Sequence, residues 1–305
     1  MSDHVLAGVF VPLATQMASP GAPDAELAGH HLEALAVAGV DGLMLLGSNG
    51  EGALVPPQQT GAFVQGIARR WRAARPGGRL IVNVSAAGTA EAVDRARAAS
   101  DAAPDALTMT APSYFRHRPD EVLRHVDAVA RIGIPVIVYH LPRVAGPLSP
   151  EVVDGLVADE RVIGVKDSSG DIEGLAAVVA AAAGRPGFGV SQGDETRLLD
   201  GLDRGAVGLL PGTANIAPEL AVGLYEAWRR GDRDTAQRLQ DVTTALVAIH
   251  RVRPGVPTVK RILSERGLGS PVVAEPLVPC TDAEYERLRD VLDPLEQHLI
   301  RPHHG

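Results

Sequence analysis

Val162-Ile163-Gly164-Val165-Lys166-Asp167-Ser168-Ser169-Gly170-Asp171 is an apolar run that stops at one lysine and passes into a small polar turn. Apolar residues before the lysine and Gly-Asp after it spell a buried strand, a turn and a helix start. A lysine at the mouth of a buried strand is poorly solvated, and desolvation disfavours its ammonium form. The neutral amine is a nucleophile that forms a Schiff base with a ketone. The same lysine could instead be held at the strand end as an ion pair with Asp167 or Asp171. Within these ten residues both alternatives stand.

Outward from this strand the chain alternates. Apolar runs at 7–13, 42–46, 80–84, 106–110, 135–139, 162–166, 188–191 and 206–210 read as strands. Between and after them, 24–38, 57–74, 89–103, 120–132, 150–158, 172–183, 195–204 and 217–230 read as helices. Strands alternating with helices imply a parallel sheet. Eight such units over about 230 residues predict an α/β protein of the closed (β/α)8 barrel type. A doubly wound sheet would carry a glycine-rich dinucleotide fingerprint after its first strand, and Leu13-Ala14-Thr15-Gln16 is not one. Residues 1–230 are thus expected to form the barrel. Residues 231–305 would form a helical extension packed on it, with helices near 232–251, 256–266 and 281–299.

Composition narrows the function. Of 305 residues, 45% are apolar and only 3% aromatic, which suits close helix–strand packing. The net charge of −8 and the lack of a basic block argue against nucleic-acid binding. Arg69, Arg70 and Arg72 fit a solvated helix face. Cys280 is the single cysteine, so no intrachain disulfide forms. Thr281 and Glu284 behind it spell a capping box, which makes Cys280 a bystander before a helix. No apolar run reaches membrane-spanning length, so a cytoplasmic, reducing setting with no membrane partner is expected. No metal is expected either: His30 and His31 face different ways on a helix, and His303-His304 lies at the end of the chain.

In a (β/α)8 barrel the site lies at the carboxyl ends of the strands. That rule selects Ser48 and Asn49 after the second strand, Thr110 and Tyr114 after the fourth, Tyr139 after the fifth and Lys166 after the sixth. Residues 208–210 fill the eighth place. A lysine, two tyrosines and a serine on one rim favour catalysis over a structural lysine.

Four motifs in order then resemble one family. Gly47-Ser48-Asn49-Gly50-Glu51 is similar to a Gly-Thr-Thr-Gly-Glu loop, and Tyr139-His140-Leu141-Pro142 to a Tyr-Asn-x-Pro segment. Gly164-Val165-Lys166-Asp167-Ser168-Ser169-Gly170-Asp171 resembles a Schiff-base segment. Gly205-Ala206-Val207-Gly208, with Ala214-Asn215 beyond, resembles a last barrel strand. The family is that of the pyruvate-dependent class I aldolases grouped with dihydrodipicolinate synthase and N-acetylneuraminate lyase. The resemblance runs from Gly8 to about Pro218.

The resemblance implies roles. Lys166 would attack the ketone of pyruvate or another 2-oxo acid, and the iminium would act as electron sink, so no cofactor is implied. Tyr139 would move protons. Ser48 and Asn49 would hold the substrate carboxylate through backbone N–H groups, with the Ser48 hydroxyl in the relay. Leu210 would lie beside pyruvate, Gly193 would touch substrate, and Tyr114 would reach a neighbouring subunit's site in a homo-oligomer, a dimer or tetramer. An aldehyde would be the second partner. The departures are Ser48-Asn49 for Thr-Thr, His140 for Asn, and Ser113 where a second tyrosine is frequent. The Gly47–Glu51 loop, Pro112-Ser113-Tyr114-Phe115-Arg116 and Lys166-Asp167 together are most similar to the 4-hydroxy-2-oxoglutarate aldolase branch. The implied activity is therefore lyase chemistry on a 2-oxo acid, of that type or a sugar-acid type. The alternatives are 4-hydroxy-tetrahydrodipicolinate synthase and a barrel that only binds 2-oxo acids. Against the synthase stands Val144, at the position of its carboxylate-binding arginine. Arg143, one residue earlier, is expected to substitute only if the loop rearranges.

Overall fold

The computed structural model describes residues 4–302. Eight parallel strands close on themselves: β1 Gly8–Pro12, β2 Gly42–Leu45, β3 Arg79–Asn83, β4 Ala106–Met109, β5 Val136–His140, β6 Val162–Asp167, β7 Gly189–Gln192 and β8 Gly208–Leu209. β1 closes the ring, pairing Gly8 and Val9 with Gly208 and Leu209 on one side and Phe10 with Gly42 on the other. Helices α1 Gly29–Val37, α2 Pro57–Ala74, α3 Thr89–Ser100, α4 Pro119–Ala130, α5 Pro150–Ala158, α6 Ile172–Ala181, α7 Leu198–Asp203 and α8 Pro218–Arg229 follow the strands in turn. The expected (β/α)8 barrel is the observed one.

Strand periodicity explains the two apolar cores. Alternate side chains point to opposite faces. In β5, Val136 and Val138 pack outward into the strand–helix layer, while Ile137 and Tyr139 point into the barrel. Phe10, Met44, Ile81 and Leu210 fill the same interior. Each such side chain contributes about 1.5–3 kcal/mol by leaving water. Gly42 makes room for this filling, since a Cβ there would sit 2.3 Å from the Phe10 ring.

Local chemistry shifts several boundaries. Between β1 and α1 stands a two-stranded antiparallel hairpin that was not expected, Met17–Ser19 with Ala22–Pro23, and α1 begins at Gly29 instead of 24. Pro20-Gly21 is the reason: Gly21 has φ +75°, which suits a tight turn. Asp24 then accepts the Glu26 N–H at 2.8 Å, a local turn that competes with helix and delays α1. A one-turn helix, Pro142–Ala145, follows β5 and was not expected.

Beyond α8 come α9 Arg233–Leu246, α10 Ile249–Val252, α11 Val256–Glu265 and α12 Asp282–Leu292. A break at residues 247–248 divides the single helix expected from 232 to 251. The Thr281–Glu284 capping box opens α12, with the Thr281 N–H on Glu284 at 2.8 Å and the Glu284 N–H on Thr281 Oγ1 at 3.2 Å. Cys280 is buried just before it. Ile300 N–H donates to Ile216 O at 2.8 Å, which ties residue 300 to the segment after β8. No helix among the described residues is long and apolar enough to cross a membrane. His303 and His304 lie outside the described residues.

Candidate active site

Lys166, the last residue but one of β6, faces inward, and one irregularity puts it there. Val136 pairs with Val162, so a regular register would set Tyr139 against Val165. The register shifts after Val136, Ile137 pairs with Gly164, and Tyr139 faces Lys166 instead. A one-residue slip exchanges the faces of a strand, and such bulges serve to re-aim a side chain.

The Lys166 side chain is 3% exposed. Its Nζ donates to the Met44 Sδ at 3.7 Å and lies 4.0 Å from the centre of the Tyr139 ring. Among the described residues no carboxylate forms an ion pair with it. Asp167 is engaged elsewhere: Oδ2 accepts the His140 Nδ1–H at 2.6 Å, and Oδ1 accepts the Ser169 N–H and hydroxyl at 3.0 and 2.8 Å. Asp171 caps α6, accepting the Gly174 N–H at 3.0 Å. Neither acid is therefore a partner of the lysine, and the strand-end ion pair is excluded. His140, which stands for the family's asparagine, links the ends of β5 and β6 on their outer face. The Leu148 N–H donates to its Nε2 at 3.4 Å.

Tyr139 is buried. Burial pushes its phenol up, but the Lys166 charge and the hydrogen-bonding side chains of Ser48, Ser168 and Lys166 outweigh that and leave it below the ordinary tyrosine range. A phenol in this state gives up its proton more readily than an isolated one.

Ser48 and Asn49 sit on the turn after β2. Glycine is needed here, because a Cβ on Gly52 would lie 1.8 Å from the Leu46 carbonyl oxygen. Thr15 Oγ1 donates to Gly50 O at 2.6 Å and Asn83 Nδ2 to Leu46 O at 2.9 Å, which holds the turn from below. Among the described residues the Ser48 and Asn49 N–H groups donate to no protein acceptor. Open N–H groups on a tight turn form an anion-binding concavity. Gly193, after β7, has its α-carbon against Ser168 and the Lys166 chain; a Cβ would sit 2.3 Å from Ser168 Oγ.

Lys166, Tyr139, Ser48, Asn49, Gly193 and Leu210 line one cavity of about 580 Å³. Six of the seven expected site residues thus converge. Tyr114 does not line this cavity. It stands 88% exposed on the loop after β4, with φ +80° and its ring edge-on to Phe115 at 4.9 Å.

Several lining residues went unrecognised in the sequence. Ser168 follows Lys166 by two, and Glu195 and Thr196 lie three and four residues past the end of β7, so strand-end logic extended by four residues would have found them. His250, Gly255 and Val256 come from the C-terminal helices, where no barrel rule looks. Arg143 lines the cavity with the loop as it is, which corrects the expectation that it needs rearrangement. In the short helix Pro142–Ala145 successive side chains point about 100° apart. Arg143 therefore faces Lys166's cavity, and Val144 a neighbouring one of about 270 Å³ that also touches Ser48 and Tyr139. Among the described residues no group of three or more His, Cys, Asp or Glu gathers to hold a metal.

Comparison with known proteins places this architecture. The model of the dihydrodipicolinate synthetase family matches residues 5–295. An uncharacterized DapA-like lyase of Halobacterium salinarum is 33% identical over 89% of this chain and 88% of its own. The probable 2-dehydro-3-deoxy-D-pentonate aldolase YjhH of Escherichia coli strain K12 is 30% identical over 92% and 93%. A dihydrodipicolinate synthase of Acinetobacter baumannii, solved with pyruvate, superposes with a TM-score of 0.87 at 26% identity, over 94% of this chain and 98% of its own. The chain belongs to the dihydrodipicolinate synthetase family, whose members are pyruvate-dependent class I lyases.

Proposed function

We propose that this enzyme cleaves, or forms by condensation, a hydroxylated 2-oxo acid through a pyruvate Schiff base on Lys166. The substrate is of the 4-hydroxy-2-oxoglutarate or sugar-acid type. The observation that carries this is the pairing of Tyr139 with Lys166: a buried amine without a carboxylate partner lies against a phenol at the edge of a 580 Å³ cavity.

In the cleavage direction the Lys166 amine adds to C2 of the 2-oxo acid. The carbinolamine loses water, taking a proton from the Tyr139 phenol. The C3–C4 bond then breaks as its electron pair flows into the iminium, and the C4 hydroxyl returns a proton to the Tyr139 oxygen. The aldehyde departs, the enamine is protonated at C3, and water releases pyruvate and the free amine. The Ser48 and Asn49 N–H groups hold the carboxylate, the Ser48 hydroxyl extends the relay, and Leu210 and Gly193 form the wall beside pyruvate. Ser168, Glu195, Thr196 and His250 offer donors and acceptors to the hydroxyls of the distal half. The probable pentonate aldolase YjhH, similar along nearly the whole chain, supports the sugar-acid type. Tyr114, exposed outside its own cavity, serves the site of a neighbouring subunit in a dimer or tetramer. Sedimentation of a fully active monomer at assay concentration would remove that role.

A second reading, 4-hydroxy-tetrahydrodipicolinate synthase, gains from one observation. Arg143 faces the cavity, and a guanidinium pairs with a carboxylate such as that of aspartate semialdehyde. The test is pyruvate release from a panel of 4-hydroxy-2-oxo acids and 3-deoxy-2-oxo sugar acids, beside condensation of pyruvate with aspartate semialdehyde. Cleavage within the panel with weak condensation is expected. Efficient condensation without cleavage reverses the two readings, and pyruvate binding without either leaves a barrel that only binds.

A further inference from the structure

The turn that carries Ser48 and Asn49 is bounded by two non-glycine residues in the left-handed region, Leu46 at φ +57° and Glu51 at φ +53°. Such backbone persists only where its surroundings over-determine it. Part of that support comes from within the barrel. Besides Thr15 and Asn83, Arg95 donates to Gly52 O at 3.0 Å and Val55 O at 3.2 Å.

The remaining support comes from the far end of the chain. The Glu51 side chain is ion-paired with Lys260 on α11, and both side chains are within 1% of full burial. Glu51 Oε2 also accepts the Ala274 N–H at 2.7 Å, and Lys260 Nζ donates to Val272 O at 2.6 Å. Gly255 and Val256, at the start of the same helix, line the cavity. A buried ion pair is a poor source of net stability, because desolvating two charges offsets their attraction. Its geometric effect is clear: it fixes the turn three residues from Ser48 and two from Asn49.

We propose that Glu51 and Lys260 are positioning residues, through which the C-terminal extension holds the Ser48 and Asn49 N–H groups in the geometry that binds the 2-oxo acid carboxylate. This rests on the assignment of those N–H groups as the carboxylate site. It predicts that loosening the pair weakens carboxylate binding and leaves the amine chemistry intact.

The test is the double variant Glu51→Gln/Lys260→Met, which removes both charges with little change in size. Borohydride trapping at Lys166 is measured against pyruvate concentration, and against acetone as a ketone without a carboxylate. Ile262→Ala, a core truncation on the same helix, controls for general loosening. In the double variant the half-saturating pyruvate concentration is expected to rise about tenfold or more, with trapping still complete at saturation. Acetone trapping should be unchanged, and Ile262→Ala should leave both probes near wild type. An unchanged pyruvate dependence, or a rise shared by acetone or by Ile262→Ala, overturns the proposal. If the double variant does not fold, Glu51→Asp is read the same way: it keeps the charge but shortens the reach, and an unchanged pyruvate dependence is again decisive against the proposal. Failure of pyruvate to trap the wild-type enzyme at Lys166 would instead remove the carboxylate-site assignment, and this inference with it.

Discussion

Lys166 and Lys260 are the only two lysines of the chain, and they are almost equally hidden, at 3% and 0% exposure. Their surroundings are opposite. Lys260 has a carboxylate and a carbonyl to satisfy its ammonium, in Glu51 and Val272. Burial pulls its ammonium below the ordinary lysine range, and the Glu51 carboxylate works against that pull. Lys166 has a thioether and the face of a phenol ring, with a cavity in front. Burial alone therefore does not decide whether a lysine is free to act as a nucleophile. What distinguishes the two lysines is whether a carboxylate engages the amine and whether a substrate carbon can approach.

The largest expected effect comes from removing the proposed nucleophile. Lys166→Ala should lose borohydride trapping by pyruvate and at least ~10³-fold in turnover. The contrast between the two lysines breaks if mass mapping finds the wild-type adduct on Lys260.

Next comes the strut. Lys260→Met alone leaves Glu51 buried without its cation, which should cost about 3–5 kcal/mol of stability. Lys166→Met removes no ion pair and should change stability by less than ~1 kcal/mol. Denaturant midpoints report both, and equal midpoints would erase the distinction between the two sites.

Tyr139→Phe keeps the ring against Lys166 and deletes the proposed proton carrier. Turnover should fall by ~10²-fold with the fold intact. Because the phenol lies below the ordinary range, loss of its proton begins at a lower pH than in a free tyrosine. A step that needs the protonated phenol therefore fails as pH rises through that lowered value, and the phenylalanine variant should lack this alkaline limb. Turnover equal to wild type would transfer the proton to another group.

The smallest effect concerns a third way of burying a basic group. His31 is fully buried, with its Nε2 at 2.9 Å from Asn215 O, and burial pushes its pKa down from 6.5 to about 4. Its folded-state pKa is lowered, so between about 6.5 and 4 the unfolded chain binds more protons, and stability falls with falling pH. The loss should be roughly 1 kcal/mol on going from about pH 7.5 to about pH 5.5. His31→Gln should flatten that part of the pH dependence, and an unaltered slope would show that other groups produce it.

Sequence by itself determined the parts of this protein that repeat locally. The alternation of apolar runs with helical stretches foretold eight strands and eight helices, because periods of 2 and 3.6 are written in consecutive residues. The capping box at Thr281 and the strand that carries Lys166 near its end were legible for the same reason. Ser48, Asn49, Tyr139, Lys166 and Leu210 were legible because strand ends in a barrel share one rim, and Gly193 only through the family resemblance. Tertiary structure alone decided the rest. The shifted register that sets Tyr139 opposite Lys166 depends on how two strands meet, and neither strand carries that information alone. The direction of Arg143 depends on a single helical turn that follows a proline. The Glu51–Lys260 pair joins residues far apart in the chain, and no local pattern marks a glutamate in a glycine-rich turn as the partner of a lysine on a distant helix. Such contacts are created by closure of the barrel and docking of the extension, and their energy depends on a burial that exists only once both are complete.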